Sequence, residues 1–274
     1  KVEAASTGKL SVTGYQDYND AQKILKEVNK YRKKNGRKAL KMDRGLTNSA
    51  IMRGFETTIY IPETSPHRRP NGKLSKSINK KIIYENCAQS AETTPKQIVK
   101  GWINSSTHRK GLLLSNAKSV GVAAVTVVSR DGYEANTWVL DFSSSKAKKV
   151  EKSKARKQFT KNIVTKNSYL KKSYLKLDSR YGTIWETEKM QMKPTYQGKM
   201  MKEYGVYPTV INTSSFISWK SSNPSVASVD SNGRITGNKA GTATISAKLK
   251  TGTKITISKK IKVVPTNQQI DPWE

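Results

Sequence analysis

Apolar positions repeat at helical spacing through the first part of the chain. Ala21, Ile24, Leu25, Val28 and Tyr31 share one face and Asn35-Gly36 supplies a stop, which predicts a helix. A second helix is predicted from about Asp43, with Leu46, Ala50, Phe55 and Ile59 among its apolar positions and Pro62 and Pro66 ending it. Ser65-Pro66-His67-Arg68-Arg69-Pro70-Asn71-Gly72 reads as a loop by its turn chemistry. Thr94-Pro95-Lys96-Gln97 is a capping box with proline at the first helical position, and Ile98, Val99, Trp102 and Ile103 follow on one face. Ser105 to Arg109 reads as a break that opens a short apolar helix at Leu112 to Leu114. Two strands, Val120 to Val128 and Thr137 to Phe142, with Asp131-Gly132 as the turn, complete an α+β unit with an antiparallel hairpin.

From about residue 184 the period changes to two. Ala243, Ile245, Ala247 and Leu249 alternate with polar residues, as do Ile255, Ile257, Ile261 and Val263, with Lys259 breaking the inward register. Asn232-Gly233 between Val226–Val229 and Ile235 is a two-residue hairpin signal. Short strands about every ten residues predict a β-sandwich. Between the two blocks, residues 146–183 read as a Lys-rich linker, partly structured around Tyr169, Leu170, Tyr174, Leu175 and Leu177. The expected organisation is an N-terminal extension (1–16), an α+β domain (17–145), the linker (146–183), an all-β domain (184–265) and a frayed tail (266–274).

Charge changes the picture next. The 274 residues carry 51 Lys and Arg against 20 Asp and Glu, a net charge of +31. The excess is spread over every segment and is mostly Lys, with no basic recognition helix and no RNA-binding aromatic signature, so specific nucleic-acid binding is not expected. Diffuse attraction to anionic cell-wall or host-surface polymers is. The longest mostly apolar run, Val120 to Val128, falls well short of the roughly 20 residues of a membrane-spanning helix. The single Cys87 rules out an internal disulfide framework, and His67 and His108 are the only imidazoles. The chain opens at Lys1-Val2-Glu3 with neither Met nor an apolar signal core, which fits a mature chain after signal removal as well as a trimmed one.

Residues 17–143 resemble the bacterial branch of the cysteine-rich secretory protein, antigen 5 and pathogenesis-related 1 superfamily, also called SCP domains. The stretches that carry the likeness are Val28 to Arg32 with Asn35-Gly36, His67 to Gly72, Glu85 to Ala88, Thr94-Pro95 to Trp102, Asn104-Ser105 with His108-Arg109, and Trp138 to Phe142. The resemblance implies a three-layer αβα sandwich. Residues 184–264 resemble the group 2 bacterial immunoglobulin-like domain, through Trp219 to Asp230, Asn232 to Gly237 and Ala240 to Ile245. The two together imply a multidomain bacterial protein, secreted or at the cell surface with its signal peptide removed, the immunoglobulin-like sandwich being a spacer or adhesive module.

The first resemblance also implies a cleft. His67 and His108 match its two histidines, which in some members hold a divalent metal, and Glu85 matches one of its acids. The second acid would fall at Ser105. Tyr84 replaces a glycine and Gly111 an asparagine of the family pattern. Cleft candidates are therefore His67, Glu85, His108, Ser105, Arg68, Arg69 and Asn86, with His67 and His108 as ligands for zinc or another divalent cation at about 2.0–2.1 Å. Two histidines without a third protein ligand would bind weakly. Each position has a plainer alternative: Glu85 as an ion-pair partner of Arg68 or Arg69, Glu56 on a solvated or salt-bridged helix face, Cys87 as a buried inert thiol, Trp102 and Trp219 as core. A Ser-His-Glu triad built on Ser105 or Ser106 with His108 is disfavoured, because a serine after a helix end is usually a cap or turn residue and no nucleophile elbow surrounds it. The expected function is non-catalytic binding of an unidentified ligand in the cleft, with a metal-dependent hydrolase and a polycationic wall-polymer binder as alternatives.

Overall fold

In the computed structural model, which describes residues 7–59, 67–90, 93–129, 132, 134–211, 217–250 and 255–268, the chain divides into two compact units. One comprises residues 13–161, the other residues 1–12 and 162–274.

The first unit begins on strand β1 (Thr7–Asp17), which enters it from the second. Helix α1 (Tyr18–Lys34) starts where the Asp17 side chain accepts the Asp20 N–H at 2.9 Å. Its last turn is tied down by Arg32, fully buried and donating to the carbonyls of Lys38, Leu112 and Leu114. After the short β2 (Lys41–Met42), Asp43 accepts the Leu46 N–H and so caps α2 (Arg44–Ile59). Strand β3 (Tyr84–Ser90) follows, then α3 (Pro95–Asn104), whose capping box of Thr94 and Gln97 forms as expected. Helix α4 (Ser106–Leu112), β4 (Ser119–Val128), β5 (Glu134–Ser143) and β6 (Arg156–Lys166) complete the set.

The sheet runs β3-β5-β4-β1-β6, with β2 on β4. Strand alternation divides its two faces. Val120, Val122, Ala124, Trp138, Leu140 and Phe142 form a core with α1, α3 and α4. On the opposite face, α2 approaches so closely that a Cβ at Gly121 would overlap the Leu46 carbonyl. Helices on both faces of one sheet make the three-layer αβα sandwich.

The second unit is β-rich. It holds β7 (Leu175–Asp178), β8 (Thr183–Trp185), β9 (Lys189–Gln191), β10 (Lys193–Tyr196), α5 (Lys199–Glu203), β11 (Thr209–Val210), β12 (Ile217–Ser221), β13 (Ala227–Val229), β14 (Arg234–Gly237), β15 (Gly241–Leu249) and β16 (Thr256–Val264). Sheets β12-β15-β16-β8 and β13-β14-β9 make the immunoglobulin-like part, and β11-β10-β7 a third sheet. The expected inward positions Ala243, Ile245, Ala247, Leu249, Ile257, Ile261 and Val263 are buried.

Several expectations need correction. Residues 7–16 are not an extension but most of β1; of its inward positions Gly8, Leu10, Val12, Gly14 and Gln16, only Leu10 and Val12 carry apolar side chains, too few to show a period. The Lys-rich linker contains β6 and β7. Ser106 to Arg109 is helix rather than break, and helix ends where the apolar helix was placed. The Asn232-Gly233 hairpin has a four-residue loop, because Asp230 Oδ1 accepts the N–H groups of Asn232 and Arg234 and so adds two residues to the turn. Trp219 is half-buried against Gly233. The expectations on Pro62, Ser65, Pro66, Asp131 and residues 269–274 lie outside the described residues. No helix among the described residues is long and apolar enough to cross a membrane.

Candidate functional site

Helix α2 is buried around most of its circumference, so its charged residues have no water to face. Arg53 is 1% exposed and Glu56 0%, and they answer this by pairing with each other one turn apart, Nη1 to Oε2 at 2.9 Å. The expected salt-bridged alternative for Glu56 holds and the solvated one does not. Arg69 closes on Glu56 from the loop, its Nη2 2.7 Å from Oε1, and its Nη1 donates to Ser77 Oγ. Arg53 then reaches the sheet, where Nε and Nη2 take the two oxygens of Glu85 at 2.8 and 3.2 Å. His67 Nδ1 lies 2.9 Å from Glu85 Oε1. The result is a chain of alternating charge, Arg69–Glu56–Arg53–Glu85, that runs from the loop into the interior and ends on the His67 ring. Charges this deep persist only when every partner is present.

The pairing sets the protonation states. Burial pushes the Glu85 carboxyl up, but the hydrogen bond from His67 and the Arg53 charge outweigh it and hold it below its ordinary value. Arg53 is held above its own, Glu85 and Glu56 outweighing burial. Asp141 pairs in register with Glu85 across β3 and β5 and is 0% exposed. Both its oxygens lack a hydrogen-bond partner among the described residues. Burial first and the Glu85 charge second raise it well above its ordinary value. Cys87 is half-buried, with its thiol pushed up to about 12 by burial and by Glu85.

His108 sits on α4, its Nδ1 3.0 Å from the Oγ of Ser105, the residue between α3 and α4. Burial and the His67 charge lower its pKa, while a hydrogen bond to the Cys87 backbone partly offsets them, so the ring is neutral at pH 7. Asn86 is buried and donates to the His108 carbonyl at 2.9 Å, which holds α4 on β3. A Cβ at Gly111 would lie 2.8 Å from the Tyr84 ring and 2.7 Å from Asn86 Oδ1. The ring of Tyr84 thus fills the space a side chain at 111 would need.

The structure thus joins His67, Glu85 and Arg69 in one network and places His108, Ser105 and Asn86 beside it. Glu85 takes Arg53 and His67 rather than the expected Arg68 or Arg69, and Arg68 donates to the Gly72 carbonyl. Arg53 and Asp141 were missed. Their signal was charge beside apolar residues: Arg53 between Ile51-Met52 and Phe55, Asp141 between Leu140 and Phe142. Among the described residues, one group brings three potential ligand atoms within 4.8 Å of one another: a His67 nitrogen, a Glu85 oxygen and Cys87 Sγ. His108, the expected second ligand, is not in it.

Residues 25–142 match the model of the cysteine-rich secretory protein family, and residues 197–261 that of the bacterial Ig-like domain, group 2. The uncharacterized protein YkwD of Bacillus subtilis (strain 168) is 31% identical over 129 residues, which are 46% of this chain and 48% of that protein. The chain thus spans about half the length of that curated relative. An extracellular protein containing an SCP domain from Bacillus anthracis aligns at 19% identity and a TM-score of 0.35, over 46% of this chain and 41% of its own. An intimin mutant of EHEC O157:H7 aligns at 24% identity and a TM-score of 0.23, over 34% of this chain and 46% of its own.

Proposed function

We propose an extracellular, non-catalytic binding protein, a reading supported by the match of residues 25–142 to the cysteine-rich secretory protein family and of residues 197–261 to the group 2 bacterial Ig-like domain. It is secreted or held at a bacterial cell surface, its cleft of His67, Glu85 and His108 takes a divalent cation or a small ligand, and its Ig-like domain acts as spacer or adhesive module. The observation that carries this reading is the saturation of Glu85. Its oxygens already serve Arg53 and the His67 ring, so it orients the imidazole rather than standing free as a base. Hydrolysis needs an acid and a base poised near the working pH. Here Glu85 is held low, and Asp141, though held high, is sealed from solvent. A bound zinc would supply a Lewis-acidic anchor for a ligand's oxygen or nitrogen.

The test is zinc titration by calorimetry on the full chain. One equivalent should bind, with affinity reduced at least about tenfold in His67→Ala. Absence of binding to the unsubstituted chain removes the cation reading.

A second reading, attachment to anionic wall or host polymers, is favoured by cations arrayed over rings. Arg156 lies over Tyr15 at 4.6 Å, Lys157 over Tyr18 at 5.7 Å and Lys161 over Phe159 at 5.0 Å. Ring contacts hold these charges in place on β6 at little further entropic cost on binding.

A further inference from the structure

Residues two apart on a strand point to the same face of a sheet. Cys87 therefore follows Glu85 along the β3 face that carries the charge network. There its sulfur joins a histidine nitrogen and a carboxylate oxygen within 4.8 Å of one another. We propose that Cys87 Sγ, a ring nitrogen of His67 and Glu85 Oε1 form a three-donor site for a thiophilic divalent cation of the zinc type, with His108 outside it.

The inference rests on the reading of the cleft as a cation site and changes which residues hold the ion. Glu85 Oε1 is turned to His67 and accepts only the longer of the two Arg53 hydrogen bonds, from Nη2 at 3.2 Å, while Oε2 stays with Arg53 Nε at 2.8 Å. Tetrahedral zinc, with bonds of about 2.0–2.3 Å, needs donors roughly 3.3–3.8 Å apart. Closing the group thus takes a movement of about 1 Å. His67 can supply it, since its side chain is 35% exposed and sits on a loop, whereas Glu85 is fixed by Arg53. The same exposure leaves the fourth position open to water or a ligand. His108 is engaged otherwise: Nδ1 faces Ser105 Oγ and the ring is hydrogen-bonded to the Cys87 backbone. A thiolate among the donors selects zinc, cobalt or cadmium over magnesium and calcium. On binding, the S–H bond breaks, an S–metal bond forms and the proton passes to bulk water, with no change of oxidation state.

The experiment adds Co²⁺ to the full-length protein and follows both affinity and absorption, with circular dichroism confirming that each variant is folded. The expected result is a thiolate-to-cobalt charge-transfer band in the near ultraviolet. Cys87→Ser and Cys87→Val should abolish the band and weaken binding at least about tenfold, and His67→Ala should weaken it similarly, while His108→Ala keeps the band. Equal Co²⁺ binding by the wild type and both Cys87 variants, without the band, overturns the inference and leaves the cleft a cation site held by other donors. Absence of Co²⁺ and Zn²⁺ binding in every variant and the wild type overturns the cation reading together with it.

Discussion

At the residue scale, two carboxyls side by side on the same sheet face are shifted in opposite directions. Glu85 has Arg53 and His67 as partners and is held below its ordinary pKa, while Asp141, without a hydrogen-bond partner among the described residues, is held well above its own. The low dielectric of the interior does both, rewarding the paired charge and penalising the unpaired one. The consequence for stability has a definite sign. Because the folded-state pKa of Asp141 is raised, its favourable contribution is complete below the ordinary value of about 3.9 and is lost as pH rises through the folded value. Asp141→Asn removes that loss. Its melting temperature relative to the wild type should climb from about pH 4 towards pH 8, on a scale of roughly 1.4 kcal/mol for each unit of displacement. Thermal denaturation across that range checks it, and a difference independent of pH would mean that Asp141 ionises freely.

At the scale of elements, the contact of β3 with α4 places His108 beside the network. Asn86 bonds it through the His108 carbonyl, and Tyr84 against Gly111 sets its spacing. Gly111→Asn alone forces a side chain into the ring and should cost about 1–3 kcal/mol. In a Tyr84→Gly background the ring contact is gone and only the contact with Asn86 Oδ1 remains, so the double variant should show a favourable coupling of about 1 kcal/mol or more by urea denaturation. Strict additivity would show that the two positions do not share the space. Elements whose signals are local were legible in the chain: the Thr94–Gln97 capping box, the Asn35-Gly36 stop and the alternation of β15 all formed where the sequence placed them. Strand β1 was not, since Gly8, Gly14 and Gln16 occupy inward positions. Gln16 is satisfied there by the backbone of β4, accepting the Ala124 N–H at 2.9 Å, a contact 108 residues away.

For the whole molecule, a net charge of +31 is carried by both units, and residues 146–200 alone hold sixteen basic against four acidic side chains. Attraction of this kind is long-ranged and screened within about 8–10 Å at physiological salt. Binding to an anionic polymer such as a polyphosphate should therefore weaken at least about tenfold between roughly 50 and 200 mM salt. A cation held in the cleft by directed bonds should be nearly indifferent to the same change. Sedimentation with the polymer and calorimetry with zinc, run over one salt series, separate the two. Equal salt dependence in both would mean that the zinc is held by diffuse charge rather than by the cleft.

The sequence by itself determined the two-domain order, most helices, the inward face of the β-sandwich and the candidates His67, Glu85 and His108, because periodicity, caps and motif spacing are local properties of a chain. Only the tertiary structure decided the partners. Glu85 could have paired with Arg68 or Arg69 on the loop nearby, yet takes Arg53 from 32 residues away, because α2 lies across the sheet and a buried charge must be met by whatever the opposite layer presents. Asp141 came beside Glu85 for the same reason: β5 pairs with β3 in a register that sets the two carboxyls opposite each other, and no spacing along the chain records that register.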